Sequence, residues 1–71
     1  MKILVFKTNV KFKKNILQVR QPLNELNDII RWNFDLNDQD KILRIETNEL
    51  KPRIVEQTLQ QVGFYCRELS D

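Results

Sequence analysis

The stretch "IIRWNFDLNDQDKILRIET", residues 29–47, alternates in hydropathy on both sides of a polar centre. On its first arm Ile30, Trp32, Phe34 and Leu36 share one parity. On its second arm Leu43 and Ile45 share one face, and Ile42, Arg44 and Glu46 share the other. Successive side chains of a strand point to opposite faces, so each arm predicts a strand with one face on a core. Between them "NDQD", residues 37–40, consists of polar, mostly turn-forming residues, and the two arms predict an antiparallel hairpin. Asp35, Asp38 and Asp40 look at first like a calcium loop. The glycine and closing glutamate of such a loop are missing, which leaves a polar turn.

Outward from the hairpin the period changes. Ile16, Val19, Leu23 and Leu26 fall on one helical face, which predicts a first helix. Asn15 is its expected capping residue, and Pro22 is expected to kink it or mark its last turns. Before it, "KILVFKTNV", residues 2–10, predicts a strand with Leu4, Phe6, Thr8 and Val10 on its core face. After the hairpin, "LKPRIVEQTLQQVG", residues 50–63, predicts a second helix. Pro52 belongs in its first turn, Ile54, Val55, Leu59 and Val62 form its apolar stripe, and Gly63 stops it. "FYCREL", residues 64–69, predicts a short last strand. The order is βαββαβ over a single domain, residues 1–71. It predicts an α+β, ferredoxin-like sandwich: a four-stranded antiparallel sheet with two helices on one face. The first and third strands are then central. Ile3, Val5 and Ile42 would meet on the uncovered face, either as ordinary scattered aliphatics or as a partner or dimer surface. A monomer or a weak homodimer is expected.

Composition narrows the chemistry. The chain has 71 residues, no histidine, one glycine and one cysteine. Imidazole catalysis and histidine ligation are excluded, and Gly63 alone cannot build a phosphate-cradling loop. Ser70 has no base beside it, so nothing pairs a nucleophile with a base and no enzyme is predicted. The apolar start "ILVF" is four residues long with no cleavage site after it. That predicts neither a secretory signal nor membrane insertion. A lone cysteine allows no internal disulfide and fits a reducing, cytoplasmic setting. The formal charge of +2 is unevenly spread. Residues 1–24 hold Lys2, Lys7, Lys11, Lys13, Lys14 and Arg20 and no acid, a charge of +6. The remainder holds six basic and ten acidic residues, a charge of −4. One basic end suits an acidic partner, or serves solubility alone.

The strand "LVFKTNV", the helix "NILQVRQPLNEL", the hairpin "WNFDLNDQDKILRIE" and the helix end "QQVGFYC" together resemble a heavy-metal-associated domain, the family of copper chaperones and metal-ATPase modules. The likeness covers nearly the whole chain. The pair Gly63–Phe64 is typical of the family, and a proline inside the first helix occurs among bacterial members. The family's metal motif is two cysteines, two residues apart, on the loop between first strand and first helix. Their places fall at Phe12 and Asn15 here, and the family's buried methionine falls at Val10. Val10 can keep that packing role. Neither a phenyl ring nor a carboxamide replaces the thiolates that Cu(I) and Zn(II) want, so no metal or other cofactor is expected at this loop.

The loop Val10, Lys11, Phe12, Lys13, Lys14 and Asn15 has therefore changed sign relative to the family. Its lysines and the helix amides behind them suit an anion or a carboxylate-rich surface. Phe12 is either an apolar anchor at an interface or a filler of the space the metal once took. The resemblance places Phe64 beside the former metal site. Cys66 reads first as a small buried hydrophobe. As a metal ligand it would need a thiolate from a second molecule. The function expected is a non-enzymatic interaction module with an acidic protein partner, in the family's setting a metal-transport component. The alternative is residual copper or zinc handling through Cys66 across a dimer. RNA binding is not expected: Ile3, Val5, Lys7, Ile42, Arg44 and Glu46 put no aromatic residue on the faces that would stack bases.

Overall fold

The computed structural model describes residues 1–69; Ser70 lies outside them. The elements run β1 (Lys2–Thr8), α1 (Lys13–Asn24), β2 (Ile29–Asp35), β3 (Ile42–Thr47), α2 (Pro52–Val62) and β4 (Cys66–Glu68). They form one four-stranded sheet in the order β2-β3-β1-β4, every pair antiparallel. This is the ferredoxin-like sandwich, with β1 and β3 in the centre.

Alternation in the strands and the helical stripes meet in one core. Leu4 and Phe6 of β1, Leu43 and Ile45 of β3, Val19 and Leu23 of α1, and Val55 and Leu59 of α2 are buried together with Val10 and Cys66. Two threonines in the core are satisfied. Thr8 Oγ1 donates to the Lys41 carbonyl at 2.6 Å and accepts from the Val10 amide at 3.2 Å. Thr47 Oγ1 donates to the Asp28 carbonyl and accepts from the Leu50 amide. Satisfied in this way, buried hydroxyls fix chain direction without a desolvation penalty.

Several details differ from the sequence expectations, and β4 is confined to Cys66–Glu68 of the expected 64–69. β1 ends at Thr8, because the Thr8 hydroxyl takes the Val10 amide out of the sheet ladder. Ile30 is 54% exposed, while Ile29 packs on the core. A bulge between Ile29 and Arg31 shifts the register there, so the strict alternation begins only at Trp32. Ile42 is 6% exposed and not part of an open patch. It lies between Asp35, its register partner on β2, and the position of Lys7 on β1, whose ammonium is 3.5 Å from the Asp40 carboxylate. Ile54 is exposed, because Val55, Leu59 and Val62 already fill the inward stripe of α2.

The aspartates of the hairpin turn act as backbone acceptors. Asp35 Oδ1 takes the Asn37 amide and Asp38 Oδ1 takes the Asp40 amide. Gly63 closes α2 at φ 99°, a left-handed conformation that suits glycine.

Candidate interaction site at the β1–α1 loop

The loop is anchored where it leaves β1. Val10 is fully buried, and the Asn9 side-chain oxygen accepts the Tyr65 amide at 2.8 Å. That bond ties the loop to the segment after Gly63 and brings Phe64 to the same end of the molecule. Phe64 itself is half-buried and packs on the core.

Beyond this anchor, Lys11, Phe12, Lys13 and Lys14 are exposed. Phe12 is 59% exposed, so it does not fold back into the space beneath the loop. The Lys14 ammonium lies 5.7 Å from its ring centroid, within cation–π range. Among the described residues, Lys11, Lys13 and Lys14 have no ion-pair partner.

Asn15 does not cap α1 as the sequence predicts. The helix starts earlier: Phe12 is the N-cap, in extended conformation, and it offers no side-chain acceptor. Asn15 stands three residues into the helix and works backwards. Its Oδ1 accepts from the Phe12 amide at 3.1 Å and more weakly from the Lys11 amide at 3.4 Å. Its Nδ2 donates to Gln18 Oε1 at 3.1 Å. This is the backward half of a capping box without the forward half. Two amides that could have faced an anion are taken, so the lysine side chains carry the site's charge.

The residues do not fit a metal. Phe12 has no donor atom, and both polar atoms of the Asn15 carboxamide are engaged. Cys66 is 2% exposed and lies on the core side of β4. Burial and the nearby Glu56 carboxylate push its thiol up to about 12, so it stays protonated and a poor ligand. Among the described residues, no group of three or more Cys, Asp or Glu side chains could hold a metal ion.

One feature of this end is missing from the sequence expectations. Leu17 is exposed on the outer face of α1 with Lys13 and Lys14 one turn before it and Arg20 one turn after. The signal was present, since Leu17 lies off the stripe of Ile16, Val19 and Leu23.

No protein-family profile matches the chain, and no curated protein sequence matches it. Solved structures do. The chain is similar to the yeast copper transporter domain Ccc2a, with 11% identity, 100% of this chain and 99% of that one covered, and a TM-score of 0.84. It is similar to the N-terminal domain of PacS from Synechocystis PCC6803, with 7% identity, coverage of 99% and 100%, and a TM-score of 0.79. It is also similar to a chain of the Atx1-Cu(I)-Ccc2a complex, with 14% identity, coverage of 100% and 99%, and a TM-score of 0.80. The chain thus has the fold of heavy-metal-associated domains over its whole described length. Among the described residues, no helix is long and apolar enough to cross a membrane.

Proposed function

We propose that the chain is a non-enzymatic, cytoplasmic interaction module, residues 1–71 forming one domain, that docks an acidic protein surface through loop 10–15. The observation that carries this is the start of α1. Phe12 stands at the N-cap, where a side-chain acceptor is favoured, and leaves an aromatic ring in water. Lys13 and Lys14 occupy the first two helical positions, where the helix dipole disfavours positive charge. Three adjacent positions therefore work against the element they begin. Folding does not account for them; carboxylates and an apolar pocket on a partner do. The likeness to a chain of the Atx1-Cu(I)-Ccc2a complex favours a metal-transport component as the class of partner. Buried Cys66 gives no support to a shared thiolate site between two copies.

The test is capture of a partner by the wild-type chain and by Lys13→Glu/Lys14→Glu at matched salt. The expected result is a partner retained by wild type and lost by the double variant. Equal retention by both removes the docking role of the loop.

A further inference from the structure

The loop presents an exposed ring and three ammonium groups with no ion-pair partner among the described residues, yet its backbone is held. The Val10 amide goes to Thr8 Oγ1, and the Lys11 and Phe12 amides go to Asn15 Oδ1. The Asn15 and Ile16 amides return to the Phe12 carbonyl at 2.9 and 3.3 Å. The Asn15 carboxamide is itself fixed by Gln18. One side chain thus closes the loop onto the helix it leads into. Every bond in this set joins two protein atoms, and the side chains of Phe12 and Asn15 offer no thiolate to Cu(I) or Zn(II).

We infer that Asn15 is a positioning residue that orders this loop from within, so that the Phe12–lysine surface is presented constitutively and docks without a metal ion. The inference rests on the docking role proposed above and specifies its regulation. An ordered loop has less entropy to lose on binding, so the interaction is available at all times instead of on ion loading. The carboxamide oxygen is the working atom. A carboxylate at the same place would do the same work, because it also accepts and sits well in a first helical turn.

Amide hydrogen exchange of the chain alone reads this without any partner. In wild type, the Lys11 and Phe12 amides should exchange at least about tenfold more slowly than in an unfolded chain. That protection should be unchanged when Zn(II) or Cu(I) is added. Asn15→Ala should lose it at these two amides while the β1 and β3 amides stay protected, and Asn15→Asp should restore it. Unprotected Lys11 and Phe12 amides in wild type overturn the inference, as does protection that appears only on adding Zn(II) or Cu(I). Equal protection in wild type and Asn15→Ala also overturns it. Should Asn15→Ala fail to fold, the wild-type comparison with and without metal decides alone. Protection that behaves as expected, with no effect of the lysine double variant on partner capture, would remove the docking role and leave the ordering intact.

Discussion

At the residue scale, Phe12 carries two opposed demands. An N-cap wants a short oxygen-bearing side chain, because the first amides of a helix have no partner inside it. Phe12 supplies none and exposes its ring. Phe12→Ser should therefore stabilise the chain by about 0.5–1 kcal/mol, and thermal unfolding will show the midpoint rising by a few degrees. The same variant should lose partner capture. A Phe12→Ser chain that is no more stable than wild type would mean that the ring packs on something the cap cannot replace. Cys66 presents the opposite case. It is a thiol used as a hydrocarbon, facing the core and held protonated by burial.

At the element scale, α1 and α2 are terminated by different means. α2 has Pro52 at its first position and Gly63 in the left-handed conformation at its end. A β-carbon added at Gly63 meets nothing within 4 Å, so only the backbone conformation resists it. Gly63→Ala should then cost about 1 kcal/mol, visible as a lower midpoint in urea with an unchanged slope. A larger loss would show that the close packing of Phe64 depends on the turn. In α1 no such stop exists. Pro22 lies in the last turn, and the chain leaves through Asp28 at φ 71°. The Asp28 carbonyl and carboxylate accept from Thr47 and the Glu49 amide, which fixes β2 against the end of β3.

At the scale of the whole molecule, charge and proton binding set the response to solution conditions. The first 24 residues carry +6 and the rest −4, so docking through the basic end should weaken as salt rises towards and beyond 0.15 M. Stability against pH follows from Cys66. Its thiol is raised from 9.0 to about 12 in the folded chain, so the unfolded chain releases the proton first. The contribution of Cys66 is fully present below about pH 9 and is lost as pH rises towards 12. Urea unfolding of wild type should weaken across that window more steeply than Cys66→Ala does. Parallel curves for the two chains would mean that the thiol is solvated.

The sequence determined the order of elements, the two central strands, and most of the core. Those features rest on local periods of two and 3.6 residues, which a chain displays before it folds. It also determined that Phe12 and Asn15 supply no thiolate of the kind Cu(I) and Zn(II) want, because donor chemistry belongs to the residue. Tertiary structure alone decided the rest. Ile42 is buried although its parity pointed outward, because pairing sets Asp35 of β2 across from it on the central strand. Ile29 replaces Ile30 because a bulge is a property of pairing between strands, invisible in one strand's pattern. Asn15 binds backwards onto Lys11 and Phe12, and Phe12 stays in water, because the buried Val10 and the Asn9–Tyr65 bond fix where the loop must run. Alternation is local, but the path of a loop is set by contacts such as Asn9–Tyr65 with residues distant in the sequence.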